Sequence, residues 1–345
     1  MGSVDPSTSG QREPDSSRAA PDYGRLSPDL VLDAIDSTGL RTDGRLMALN
    51  SFENRVYQVG IEDDGFRVAK FYRPNRWSDA AILEEHAFAA ELAQEEIPVV
   101  APLLIDGTTL HKVGEFRVAV YPCRGGRAPD LDNYELLGQL GRFVARIHLV
   151  GATATFRHRP GIDIDSYAVD SMEFLLEHDF IPSELLPAYE SVANNVIDGI
   201  EASFERAGDI PQIRIHGDFH PGNVLVAREQ LHIVDFDDAR SGPAVQDLWM
   251  FLSGDRAEQI PQLNALLEGY TRFREFDARE LHLVEALRSL RIMHYAAWLA
   301  RRWEDPAFKR AFPWFDSHRY WEDHVLALRE QQALMQEQPL EWHPL

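Results

Sequence analysis

The sequence predicts an α+β chain of two lobes, and three observations carry that prediction. Strand-type runs with a good hairpin turn gather in the first third of the chain. Helical periodicity dominates afterwards. One non-helical island, residues 213–243, interrupts the helices with two short β-type runs. The boundaries read as a disordered tail over 1–25, a β-rich lobe over 26–122 and a mainly helical lobe over 123–345.

The elements follow in order. Residues 1–25 are Ser, Pro, Gly and charge, with almost nothing to bury. Ser27 and Pro28 form an N-cap and a first-turn proline, opening a short helix that stops near Gly39. The runs RVYQVGI (55–61) and FRVAKFY (66–72) flank the turn-forming Glu62-Asp63-Asp64-Gly65 and predict a hairpin. Residues 78–96 form a helix that ends before Pro98. Two more strands are expected near 99–105 and 116–121, then a linker over 121–126. Helices are expected over 134–150, 183–207, 245–252, 258–273 and 278–303, with more beyond 320.

The chain has 345 residues and a formal charge of −22. That acidity excludes duplex nucleic acid as a partner, because phosphate contacts need clustered Lys and Arg. No apolar run reaches the ~18–20 residues of a membrane span. The N-terminus lacks the basic flank and apolar stretch of a secretion signal, and a lone Cys123 cannot form an internal disulfide, which fits a reducing cytosol. Of 34 basic residues only three are Lys: Lys70, Lys112 and Lys309.

The island reads IRIHGDFHPGNVLVAREQLHIVDFDDARSGP. Runs 223–227 and 231–236 flank a turn at 228–230, which places Asn223 and Asp235 opposite each other at the open end of a hairpin. A facing amide oxygen and carboxylate suit Mg²⁺, which takes oxygen ligands and keeps water and phosphate as the others. Asp218 lies in the loop before Asn223, where it could accept a proton from an attacking hydroxyl. His216, Asp218 and Asn223 make the spacing His-x-Asp-x-x-x-x-Asn, followed by a metal-binding Asp on the next strand, as phosphotransferases of the protein-kinase type have it. Two other readings stay open here. The Gly- and Pro-rich stretch could be a plain surface loop. His216, Asp218 and His220 alternate, so on a strand they would share a face and could hold zinc in a metallohydrolase.

A phosphotransferase of this type needs a Lys for the ATP phosphates and a Glu to hold it. Lys70 stands in the second strand of the hairpin, in a chain that otherwise uses Arg. On the wheel of helix 78–96, Glu85 falls inside the apolar arc of Ile82, Phe88, Ala89, Leu92 and Ala93, and Glu84 falls outside it. A buried carboxylate needs a partner, so Glu85 is the candidate for Lys70, with Glu84 as the fallback. The phosphate-covering loop would be residues 49–55, LNSFENR, which has no Gly. Small, polar Ser51 and the following N–H groups could still bind phosphate, or this could be an ordinary polar turn. Residues 121–123 would be the adenine hinge. Asp247 could accept backbone N–H bonds beneath the catalytic loop or simply stabilise its own helix terminus. Asp237 and Asp238 could bind substrate or simply face water, and are expected to face water.

The strings LNSFENRVYQ, KFYRPNRW, ILEEH, HGDFHPGN, VDFDDARSGPAVQDLWMFL and AWLARRWEDPAF resemble the aminoglycoside phosphotransferase/choline kinase-like family, an offshoot of the protein-kinase fold, and within it a bacterial stress-response kinase group. The resemblance covers nearly all of the chain except the tail. It implies a two-lobed protein-kinase-like fold and an ATP- and Mg²⁺-dependent serine/threonine protein kinase of the cytoplasm. It also implies a monomer linked to stress response, whose partner is a protein substrate. By motif it implies Asp218 as proton acceptor, Asn223 and Asp235 as Mg²⁺ ligands and Ser51 at the ATP site. A small-molecule acceptor, such as an aminoglycoside or an amino alcohol, or an ATP-binding scaffold without turnover, are the alternatives. The departures from ordinary protein kinases are Gly217 in place of an Arg, Asp237 in place of a Gly, and no Ala-Pro-Glu after a very short segment. A site built ready for use, without activation-loop phosphorylation, follows from them.

Overall fold

The computed structural model describes residues 23–228 and 230–343. The tail expected over 1–25 therefore lies outside the described residues except for Tyr23–Arg25. Those three form a 3-10 turn, with the Tyr23 ring 6.3 Å from that of Phe116. The chain divides into two compact units, residues 23–82 with 103–123, and residues 83–102 with 124–343.

The first unit is built on an antiparallel five-stranded sheet. After α1 (Pro28–Asp36), capped by Ser27 as its sequence dictates, come β1 (Thr42–Ala48), β2 (Arg55–Ile61) and β3 (Gly65–Phe71). Helix α2 (Asp79–Gln94) starts in this unit and belongs from Leu83 onward to the second, and β4 (His111–Val113) and β5 (Phe116–Pro122) complete the sheet in the spatial order β1-β2-β3-β5-β4. The β2–β3 hairpin pairs Ile61 with Gly65 and Arg55 with Phe71, because the turn sequence sets the register. Val31, Ile35, Val59, Ala69, Phe71, Val118 and Val120 fill the core beneath the sheet. The strand expected near 99–105 is absent. Val99 and Ile105 make only isolated bridges, since Pro98 and Pro102 lack the N–H that a ladder needs. Edge strand β1 was missed by the sequence reading, because its largely exposed residues carry no alternation.

The second unit is mainly helical. It runs through α3 (Tyr134–Gly151), a π turn at Asp165–Val169, α4 (Asp170–Glu177) and α5 (Leu186–Ala207). After the non-helical island come α6 (Gln246–Trp249), α7 (Arg256–Tyr270), α8 (Val284–Arg301), α9 (Pro306–Ala311) and α10 (His318–Leu334). The long helix expected over 278–303 is a 3-10 stretch, Ala278–Leu283, followed by α8. Helices α3 and α7 approach so closely that a Cβ at Gly141 or Gly269 would collide with the facing backbone. The island holds β6 (Ile213–Ile215), β7 (Val224–Ala227), β8 (Gln230–Ile233) and β9 (Arg240–Gly242), with β6 paired to β9 and β7 to β8.

Candidate active site

Strand β6 is buried along its length and ends at Ile215, so His216 to His220 are loop residues. They do not alternate on a strand as a zinc face would require. The loop is held from beneath by Asp247, which is fully buried. Its Oδ2 accepts the His216 N–H at 2.7 Å and its Oδ1 the Gly217 N–H at 2.9 Å. A third donor comes from His148 on α3, whose Nε2 lies 3.1 Å from Oδ2. The ring's other nitrogen is 3.0 Å from the Tyr270 hydroxyl, and Arg274 donates to that oxygen at 2.6 Å. Burial pushes the His148 pKa down against the pull of Asp247, which leaves the imidazole neutral. One orientation then satisfies the whole relay: Arg274 donates to Tyr270, Tyr270 to Nδ1, and Nε2–H to Asp247. Gly217 has φ +83, and a Cβ there would meet the Asp238 carbonyl, so the position taken by Arg in ordinary kinases admits only glycine here.

His216 is itself buried, with Nε2 2.9 Å from the Val234 carbonyl and its ring 4.5 Å from that of Phe236. It packs the loop against the hairpin. Asp218 emerges beyond it with a quarter of its side chain exposed. One carboxylate oxygen is ion-paired with Arg291 of α8, and the other lies 3.5 Å from His220 Nε2. Burial alone would raise the Asp218 pKa, but the His220 hydrogen bond and the Arg291 charge outweigh it and hold it at about 2.

The Asn223 amide nitrogen donates to the Asp218 carbonyl at 2.9 Å. That bond turns the amide oxygen the other way, where a cation could take it. The hairpin register differs from the expected one. Val224 pairs with Ile233 and Ala227 with Gln230, so Asn223 faces Val234 rather than Asp235. A turn of two residues replaces the expected three, with Arg228 at φ 47. Asp235 has left the ladder, in a left-handed conformation with φ 63, and is exposed. Its carboxylate and the Asn223 amide are the oxygen donors that a hard cation takes, so both residues fit Mg²⁺ by chemistry. Asp237 does not face water as expected: it is 3% exposed, and Asp238 is ion-paired with Arg240 at 2.9 Å.

The two glutamates of α2 have separate surroundings. Glu84 accepts the backbone N–H groups of Arg157, His158 and Arg159 at 2.7, 2.9 and 3.2 Å. Glu85 is 2% exposed, with Arg159 3.6 Å from its carboxylate. Arg159 also donates to the Asp237 and Ala239 carbonyls at 2.9 and 2.8 Å, which ties α2 to the segment after Asp235.

In the first unit, Lys70 is buried on β3 with its ammonium 5.1 Å from the Tyr72 ring. Ser51 is half-buried in the loop between β1 and β2. That loop has no glycine and is fixed by side chains instead. Arg73 donates from Nε to the Glu53 carbonyl at 2.9 Å, lies 3.0 Å from the Glu53 carboxylate, and donates from Nη2 to the Phe52 carbonyl at 3.3 Å. Its backbone N–H donates to Asn54 Oδ1 at 3.0 Å. The sequence reading missed Arg73, His148, Arg159, Tyr270 and Arg291. Only Arg73 and Arg159 carried a local signal, a conspicuous basic residue beside a loop; the others are helix residues brought in by packing.

The model of the phosphotransferase enzyme family matches residues 46–284. The chain is 43% identical over 323 residues to stress response kinase A of Escherichia coli (strain K12), covering 94% of this chain and 98% of that one. It is 41% identical, with the same coverage, to the serine/threonine protein kinase RdoA of Salmonella typhimurium. Among solved structures, an amicoumacin kinase in complex with AMP-PNP, Ca²⁺ and Ami aligns with a TM-score of 0.68 at 20% identity, covering 91% of this chain and 94% of that one. A microcompartment-associated aminopropanol kinase aligns at 0.67 and 18%, covering 89% and 96%. The family match over residues 46–284 and the 43% identity across nearly the whole length show that the chain belongs to the phosphotransferase enzyme family, and it has that family's protein-kinase-like fold.

Proposed function

We propose that the protein is a serine/threonine protein kinase of the stress response, transferring the γ-phosphoryl group of ATP to a hydroxyl on a protein substrate. The observation that carries this reading is the Asp218 carboxylate, half-sheltered on a loop whose backbone is fixed by Asp247. In this reading Asp218 orients the acceptor hydroxyl and takes its proton. Asn223 and Asp235 hold Mg²⁺, which supplies charge neutralisation at the phosphates when bound. Ser51 and Lys70 bind the ATP phosphates, and Glu85 supplies the carboxylate that a phosphate-gripping lysine requires. The names of the relatives, a stress response kinase and a serine/threonine protein kinase, support a protein acceptor.

The experiment is Asp218→Ala, assayed with labelled ATP and a protein acceptor mixture. Transfer is lost while ATP binding persists; full turnover in that variant defeats the assignment. A small-molecule acceptor is the second reading, favoured by the fold neighbours that are kinases of amicoumacin and aminopropanol. A panel of aminoglycosides and amino alcohols tested beside the proteins separates the two.

A further inference from the structure

We infer that Arg291 determines acceptor specificity, selecting a Ser or Thr whose immediate neighbours are acidic. The inference rests on the reading of Asp218 as proton acceptor in a protein kinase.

Both oxygens of Asp218 are occupied by donors. Oδ1 is ion-paired with Arg291 and Oδ2 faces His220. His220 Nδ1 accepts the Gly222 N–H at 2.9 Å, so its proton sits on Nε2 and points at the carboxylate. Each oxygen keeps a second lone-pair site, so a hydroxyl can reach Asp218 beside these donors, but the carboxylate takes up its proton more readily when one of them has turned away. His220 is anchored by its own loop. Arg291 is 45% exposed, and its guanidinium ends a long, flexible side chain. It is the donor that can turn away.

What it turns to decides the acceptor. A carboxylate beside the hydroxyl gives the guanidinium a two-pronged replacement partner and frees Oδ1 for the hydroxyl. A cationic neighbour repels Arg291 and leaves the original pair in place. The surroundings act in the same direction. Tyr167 and His294 lie with ring centroids 4.5 Å apart. Arg240, Arg291, Arg301 and Arg302 are among the charged groups that act on that pair, together with Asp218 and Asp238. Arg240 reaches over the Tyr167 ring at 5.1 Å. The chain as a whole carries −22, so this arginine-rich setting is local. At the reacting hydroxyl the near charges prevail over the distant ones, because solvent and salt screen beyond about 8 Å.

The test uses two serine peptides that differ only in flanking residues, Glu on both sides or Lys on both sides, with Mg²⁺ and ATP. The kcat/KM of each is measured for the wild-type protein, Arg291→Lys, Arg291→Ala and Arg291→Glu, with ATP binding measured in parallel as the check on folding. The expected wild-type preference for the Glu peptide is at least tenfold. Arg291→Lys keeps its direction, Arg291→Ala brings the ratio near one, and Arg291→Glu inverts it. A wild-type protein without preference or with a Lys preference overturns the inference, as does an acidic preference that survives Arg291→Ala. Transfer without flanking preference defeats this inference alone. ATP binding with no transfer to any peptide defeats the protein-kinase reading, and this inference falls with it.

Discussion

Two loops of this molecule are held in opposite ways. The loop carrying Asp218 is fixed by a buried carboxylate, Asp247, which receives two backbone N–H groups and a neutral imidazole and is closed off from solvent. The loop carrying Ser51 is fixed by Arg73 and Arg76 against Glu53, side chains that keep 13–15% of their surface exposed. The first device draws its strength from burial, where an unpaired polar group is costly. The second works the other way round: the Arg73 guanidinium donates to the loop's own carbonyls, and its largely buried ion pair with Glu53 is screened little by salt. A loop that must place one carboxylate is locked into the core. A loop without glycine is pinned by arginine side chains that reach its carbonyls.

The largest effect that would break this comparison is at Asp247. Asp247→Ala strands three buried donors and should lower stability by about 3–5 kcal/mol, measured by chemical denaturation. If the loss is under about 1 kcal/mol, burial is not what fixes the Asp218 loop.

The next is a pH effect in the same region. Glu280 accepts the Val245 N–H at 2.7 Å, two residues from Asp247, and burial raises its pKa from 4.5 to about 7 despite that bond. The folded state therefore holds a proton that the unfolded state has lost between these values. The contribution is fully present below pH 4.5 and is lost as pH rises to about 7, a change of roughly 3 kcal/mol. Glu280→Gln should flatten the stability profile over that window.

A smaller effect is expected at the clamp. Arg73→Ala should raise the KM for ATP roughly tenfold, equivalent to about 1.4 kcal/mol, with a smaller change in kcat. Loss of kcat at unchanged KM would remove Arg73 from the nucleotide loop's function. The smallest change is Tyr270→Phe, which leaves the ring and deletes one hydroxyl between Arg274 and His148. A loss of about 1 kcal/mol in stability with kcat nearly intact is expected. A large fall in kcat would show that the relay controls more than stability.

Much of the fold was legible because its signals are local. The β2–β3 hairpin, the Ser27 cap and the buried face of α2 with Glu85 follow from turn chemistry, capping and periodicity within short windows. The island's hairpin was readable as a motif but misjudged by one residue in register, since turn length was inferred from composition alone. The 99–105 strand failed because its prolines outweigh its apolar character. The expectation that Asp237 faces water failed because its burial depends on Arg159, 78 residues away, which draws the Asp237 carbonyl inward.

The sequence by itself determined the residue types and spacings that chemistry needs: the His216, Asp218 and Asn223 series, Asp235 just beyond the next strand, one Lys in the right kind of strand, and a glutamate on the apolar face of one helix. Only the tertiary structure decided which groups meet. Arg291 reaches Asp218 across 73 positions, His148 reaches Asp247 across 99, and Glu84 rather than Glu85 takes the amides of 157–159. The reason is physical. Periodicity records which face of an element is buried, but the partner of a polar side chain depends on which elements pack against that face, and that is settled only when the whole core closes.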